Sequence, residues 1–588
     1  MAFVGVNKAL NRIPLRLDFI TVLVAGAFFT CTAHAEAPSP VEITRTSPTG
    51  NYLAARFAGA TRDMPAAAAY YRAALKSDPR NADLIERTFL VVLADGAVDE
   101  SMLLAERLAG IDRTHRIARL TLAMRAIKRA QYTPARAHLA QSIRGPIADL
   151  TATLIGSWLL AANNDVKSAI ENIDRLQGPE WYAAFKDLHA GLMLDFAGQR
   201  KEAGKRLERA YQLDKNSLRT VDAYARWASR NGDRKTALEV YSAFSKLLPA
   251  HPLVQAAVAE LEAERTLSPM IRSVQAGAAE VLFGLGAALG HQGGEDLGLV
   301  YLQLALYLDP EHPLALLSLG DLYETLKKPE QAIEVFARVP AKSPLKRNAE
   351  IQRGLDLDTL ERTAEARQLL ENLVEKNPAD LEAITALGNV LRARKLFKEA
   401  AEVYSKGIDR LAEPARPHWS MFYFRGICYE RSKEWPRAEK DFEKALELFP
   451  DQPQTLNYLG YSWVDHGLYL DKALGMIRRA VELRPNDGYI VDSLGWAYYR
   501  LGRYEDATKE LERAIELRPE DPVINDHLGD AYWKVGRQLE SNFQWRHARD
   551  MKPEPEDLAK IEIKLRDGLK EDGPPSKAGA VKNSGNGG

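Results

Sequence analysis

Between Gly488 and Asp521 the small and apolar residues fall in two short helical stripes. Leu494, Gly495 and Tyr498 mark the first; Ala507, Leu511 and Ala514 mark the second, at the spacing of one helix face. Leu501-Gly502-Arg503 separates them, and Gly502 supplies the positive φ that stops a helix. Pro519 cannot continue the second helix, so it closes the unit. The spacing predicts a hairpin in which Gly495 lets the second helix approach, Ala507 and Ala514 face it, and Tyr498 and Leu511 fill the volume around the contact. The offsets return in the next unit, Pro522 to Pro555, as Leu528, Gly529, Tyr532, Trp545, Ala548 and Pro553. One such hairpin cannot bury its apolar face alone, so neighbours must stack on it.

This period of 34 residues, with its small–large–small order and closing proline, resembles the tetratricopeptide repeat. The resemblance covers about Pro48 to Pro555 and is strongest from Gly286 onward. It implies an all-α fold: an α-solenoid, a right-handed superhelix of stacked helix–turn–helix repeats. About fourteen repeats are legible, six before an irregular stretch and eight after it. The first block, 48–251, is degenerate, with clear units at Gly191, Ala203, Leu207 and Ala210 and at Ala225, Ala237, Tyr241 and Pro249. Residues 252–278 break the phase and read either as a helical joint or as a repeat that has lost its pattern. The second block, 279–555, is cleaner, with one inserted residue near Tyr469. A capping helix is expected over 556–570, covering the apolar end of the last repeat. The Gly-, Pro-, Ser- and Lys-rich tail 571–588 is expected to be disordered. Runs such as SPMIRSVQAGAAEVLFGLGAALG and LNYLGYSWVDHGLYLDKAL look like those of exported bacterial repeat proteins of unassigned role.

The first 35 residues read as an export signal. Lys8, Arg12 and Arg16 form a basic leader, Ile20 to Phe29 is apolar, and Ala33 and Ala35 stand at −3 and −1 of a cleavage site. The apolar run, about ten residues, is half of what a spanning helix needs. Cleavage after Ala35 and a periplasmic product are expected, with no transmembrane segment in the mature chain. A lipoprotein through Cys31 and an uncleaved anchor are the alternatives, though Phe28 and Thr30 fit a lipid-attachment site poorly. Residues 36–47 read as a linker. Of the two cysteines, only Cys428 would survive cleavage, so no internal disulfide forms.

Charge narrows the partner class. The 79 basic and 80 acidic residues nearly cancel, which gives no general pull towards nucleic acid. The chain has no H-E-x-x-H, P-loop, G-x-S-x-G or C-x-x-C, so neither enzyme activity, a metal nor a cofactor is expected. Gly284-Leu285-Gly286 begins like a dinucleotide loop, but Gly286 occupies a repeat packing position. Asp526, His527 and Asp530 share one first helix without a nucleophile nearby, and read as a solvated or partner-binding face.

A protein or peptide partner is the remaining class. In tetratricopeptide proteins the first helices line the concave surface, and the resemblance implies groove positions in each unit. These are Tyr423 and Arg431; Asn457 and Tyr461; Tyr489, Asp492, Trp496, Tyr499 and Arg500; and Asp526, Asp530, Trp533 and Lys534. Trp496, Tyr499 and Trp533 do not fit core offsets, and aromatics beside Arg and Asp have the composition of binding hot spots. The alternative is that they pack against the neighbouring repeat, and the binding reading is preferred. The expected role is a non-enzymatic periplasmic scaffold in cell-envelope biogenesis; the alternative is an accessory subunit of an envelope enzyme or export complex.

Overall fold

The computed structural model describes residues 47–142, 145–290 and 293–569. The expected signal, most of the linker and the tail lie outside them. The described chain contains thirty α-helices and no strand. Six hairpins come first: α1 (Pro48–Ala60) with α2 (Met64–Ser77), α3 (Ala82–Ala94) with α4 (Val98–Ile111), and α5 (Arg116–Lys128) with α6 (Tyr132–Gln141). Then follow α7 (Pro146–Ala162) with α8 (Val166–Arg175), α9 (Tyr182–Phe196) with α10 (Arg200–Leu213), and α11 (Leu218–Arg230) with α12 (Arg234–Leu247). The helix α13 (Pro252–Glu262) is unpaired, and the chain runs without regular structure until α14 begins at Val274.

Hairpins resume with α14 (Val274–Leu289) and α15 (Glu295–Leu308), α16 (Pro313–Thr325) and α17 (Pro329–Ala337), and α18 (Lys346–Thr359) and α19 (Thr363–Lys376). Next come α20 (Leu381–Ala393) with α21 (Phe397–Ile408) and α22 (Trp419–Arg431) with α23 (Trp435–Leu448). The last are α24 (Pro453–Asp465) with α25 (Leu470–Leu483), α26 (Gly488–Arg500) with α27 (Tyr504–Leu517), and α28 (Pro522–Lys534) with α29 (Gln538–Asp550). The helix α30 (Pro555–Asp567) ends the described chain.

Local chemistry sets these bounds. Phe449, Arg484 and Arg518 each precede a proline and each leave helical geometry, at φ −143°, −136° and −142°. Asp521 caps α28 by accepting from the Val523 and Ile524 N–H groups at 2.9 and 3.1 Å. Packing between the paired helices follows one register. A Cβ on Gly495 would lie 2.5 Å from Leu511, and one on Gly529 would lie 2.4 Å from Trp545, sixteen residues on in each case. In the Gly460 hairpin the partner is Ile477, seventeen residues on. The extra residue is absorbed at Tyr469, which takes left-handed geometry at φ 45° directly before α25. Ala507, Leu511 and Ala514 are wholly buried, as the stripe pattern requires.

The molecule divides into two compact units, one ending at Leu373 and one beginning at Val374. The division does not fall at 252–278, and the reason lies in α14 and α15. These two helices pack against the first helices of the preceding hairpins. Trp158 of α7, wholly buried, lies where a Cβ on Gly277 would reach to 2.4 Å of its ring. Thr151 and Tyr301 share a hydrogen bond of 3.0 Å, and Lys128 donates to the Tyr307 carbonyl at 2.6 Å. Arg219 of α11 donates twice to Glu280 of α14, at 2.7 Å each, inside the unit. The first-helix face of the first block is therefore filled by the chain's own next hairpin.

Candidate functional site

In the second unit the helices α24, α26 and α28 place their inner residues side by side. Trp496 is the centre of the arrangement. Its indole stacks on Tyr499 at 4.8 Å and on His527 of the next first helix at 4.1 Å, with ring planes 9° and 16° apart. Tyr499 meets Tyr504 edge-on at 5.4 Å. Asp492 is buried and accepts from His527 Nδ1 at 3.0 Å, which fixes that nitrogen as the protonated one in the neutral ring. Burial pulls the His527 pKa down, but Asp492, with Asp526 and Asp530 behind it, outweighs burial and raises it above the usual histidine value.

Tyr461 stands half-buried on α24. Burial pushes its phenol well up, and the carboxylates of Asp492, Asp465 and Asp557 push the same way. Arg500 is exposed and bridges back to Asp465 at 3.2 Å. Tyr461, Asp492, Trp496, Tyr499 and Arg500 thus come together as a shelf of rings with a charged rim, built by two consecutive first helices.

The other sequence-predicted partner residues are placed differently. Asp526 and Asp530 are engaged by α30: Lys564 Nζ donates to them at 2.7 and 2.8 Å. Asp530 also accepts from the Trp545 indole at 2.9 Å, and burial with the adjacent Asp526 pushes its carboxyl above the usual carboxylate range. Trp533 packs on Trp545 at 5.4 Å and lies under Gly568, so it belongs to the terminal core with Ile561, Leu565 and Leu569. The reading of Trp533 as a side chain outside the core is corrected by that contact. Tyr423 is corrected too. It is buried among Trp419, Phe424, Phe442 and Tyr458, because α22 carries aromatic residues on nearly every side.

Tyr489 lies at the opposite end of α26 from Trp496, under the Arg518 guanidinium at 5.1 Å. Asn457 is half-buried with its side-chain oxygen lacking a donor. Arg431 is exposed beside Glu430 at 3.5 Å, and Lys534 is half-buried 5.9 Å from the Tyr504 ring.

His527 and Lys564 are the residues that sequence reasoning missed. His527 was expected on a solvated or partner-binding face, yet it is buried between Asp492 and Trp496. The signal for it was the matching offset of Asp492 and Asp526 in consecutive units. Lys564 sits inside the apolar stripe Leu558, Ile561 and Leu565, which marks it as facing inward. Among the described residues no group of three or more His, Cys, Asp and Glu is placed to hold a metal ion. No described helix is long and apolar enough to cross a membrane.

Comparison with known proteins adds family to geometry. Family models described as "TPR repeat" and "Tetratricopeptide repeat" match residues 300–346, 351–415, 421–452 and 495–536. The chain is 27% identical over 203 residues to "TPR repeat-containing protein PA4667" of Pseudomonas aeruginosa, covering 33% of this chain and 32% of that one. It is 25% identical over 205 residues to human "Protein O-mannosyl-transferase TMTC1", covering 35% of this chain and 23% of that one. The chain thus spans about a third or less of the length of these relatives. The solved "APC/C hetero-tetramer Cut9-Hcn1" superposes with a TM-score of 0.37 at 14% identity, over 90% of this chain and 98% of that one. By its repeated hairpin register and by these family models, the chain carries tetratricopeptide repeats.

Proposed function

We propose that the chain is an exported, non-enzymatic scaffold of the cell envelope, which holds a protein segment against the first-helix face of its second unit. The observation that carries this reading is the shelf itself. Tyr461, Trp496 and Tyr499 are only half-buried, lie on adjacent helices and are rimmed by Arg500 and Asp465. Aromatic rings beside an arginine are the side chains that dominate protein-binding energy. They are held in place before any partner arrives, so little ordering is lost on binding. His527 and Asp492 look like half of a catalytic set, but their geometry joins two helices: the ring face meets Trp496 and Nδ1 meets Asp492. Export is supported by the leader pattern of residues 1–35.

The test is in-cell photo-crosslinking from position 499, read by mass spectrometry, in wild type and in Trp496→Ala with Arg500→Ala. A small set of envelope proteins is expected from the wild type, and its loss is expected from the variant at unchanged far-UV helicity. Equal capture by both proteins would sink the assignment.

A further inference from the structure

The seat of α30 adjoins the shelf, and its contacts define a ligand. Ile561 is the one buried residue of this helix, whereas α28 beneath it buries eight residues. Leu565 and Leu569 lie half-buried beside Ile561, over Trp533, Trp545 and Ala548. The polar anchor is Lys564, 15% exposed and paired with Asp526 and Asp530 at 2.7 and 2.8 Å. A further tie, at the start of the helix, is weak: Glu554 lies 3.6 Å from Lys395, with both side chains mostly exposed. The first turn of α30 has no side-chain cap.

The surface beneath is acidic for a structural reason. Asp526 and Asp530 are one turn apart on α28, and Asp492 faces them from α26 through His527. Carboxylates so placed repel one another, and the Lys564 ammonium sits between two of them. The seat therefore selects three features at once: helical form, a branched aliphatic side chain over the Trp533–Trp545 pair, and a cation three residues further on.

We propose that this seat is a docking site for an amphipathic helix of a partner protein bearing lysine or arginine, and that α30 is the resident helix such a partner displaces. This rests on the reading of the first-helix face as the partner surface, and it names the partner's chemistry.

The test uses the full chain and a fluorescein-labelled peptide with the sequence of residues 553–569. In wild type, α30 competes and the peptide binds weakly. In Lys564→Glu the resident helix carries a third like charge, so amide exchange over 555–567 speeds up and the peptide binds about tenfold tighter or more. Lys564→Arg is expected to behave as wild type. Adding Asp526→Asn and Asp530→Asn to Lys564→Glu is expected to abolish the gain. Unchanged protection of α30 in Lys564→Glu, with no gain in peptide binding, would make α30 a fixed cap and overturn the proposal. Should Lys564→Glu lower the helicity of the whole chain, the wild-type chain is titrated with the peptide instead. Faster exchange of α30 with the native peptide, and none with a peptide carrying Lys564→Glu, is then the expected result; no change with either peptide overturns it. The titration involves no cellular partner, so loss of crosslinking at the Trp496 shelf and loss of peptide binding are read separately.

Discussion

Removing the Arg219 guanidinium tests the packing inside the first unit. Glu280 is 3% exposed on α14, and both of its oxygens accept from Arg219 at 2.7 Å. His312 Nε2 lies 3.2 Å from one of them. Burial alone would push the Glu280 carboxyl up, but Arg219 and His312 outweigh it and hold the group well below the usual carboxylate range. Arg219→Ala leaves this carboxylate inside the unit with His312 as its remaining partner in the triad. Breaking a buried pair from one side costs about 3–5 kcal/mol. With a urea slope of about 3 kcal/mol per molar, the midpoint of the first unit moves by about 1–1.7 M. Replacing both partners, Arg219→Met with Glu280→Met, removes the charge problem and should cost less than the single change. Tryptophan fluorescence follows the transition, since Trp158 packs on the same helix at Gly277. The sign with pH follows from the depressed carboxyl. Its stabilisation is fully present above the ordinary carboxylate range and is lost progressively as pH falls below that range towards the group's own depressed value, so acid should weaken wild type more than Arg219→Ala. A cost below about 1 kcal/mol is what an exposed ion pair gives, and it would refute the insertion of α14.

Four further outcomes are expected. Gly495→Leu should lower stability by about 1–3 kcal/mol through overpacking on Leu511, and an unchanged thermal melt would reject the hairpin register. The raised pKa of His527 stabilises the fold fully below about pH 6.5, and that contribution is lost as pH rises through the folded value. Wild type should therefore weaken on the alkaline side while His527→Gln stays flatter; identical profiles by urea unfolding would count against the Asp492 contact. Burial pushes the Cys428 thiol up to about 12, so iodoacetamide should label it only after denaturation, and fast labelling of the native chain would contradict its burial. If the leader is removed as proposed, N-terminal sequencing of the chain purified from cells should begin at Glu36, and a retained leader would remove the cleavage after Ala35.

The hairpins were legible because their signal is local. A glycine on one helix and a large side chain sixteen residues on report a contact within one unit, as Gly495 with Leu511 and Gly529 with Trp545 do. The turn signals are local as well: Gly502 takes φ 73°, and Arg518 turns before Pro519. Contacts across units were much less legible. Nothing in the period of Pro522 to Pro555 distinguishes an open Trp533 from one packed under α30, because the same offset serves both. The filling of the first block was missed for another reason, although the chain does carry a mark of it. From Gly277 to Ala287 every residue of α14 is buried, and α15 is apolar on nearly all sides through Leu308. A helix apolar around its whole circumference has no solvent side, and so must be enclosed by other helices. Read only for repeat offsets, that stretch gives a hairpin; read for circumference, it gives an inserted one.

The seated helices differ in what it takes to remove them, and that difference decides where a partner can enter. In the first unit α14 is held by a buried bidentate pair, by Trp158 on Gly277 and by eleven consecutive buried residues from Gly277 to Ala287. Exposing that much apolar surface costs far more than one docking helix returns, at about 1.5–3 kcal/mol per large side chain. In the second unit α30 offers Ile561, two half-buried leucines and one lysine. A partner helix with the same features regains nearly all that α30 gives up, so exchange is close to balanced and its net affinity is the small difference between two similar contacts. Contacts beyond the seat then tip the exchange. Trp496, Tyr499 and Arg500 stand on the neighbouring first helix, and a partner long enough to reach them adds those contacts to the seat.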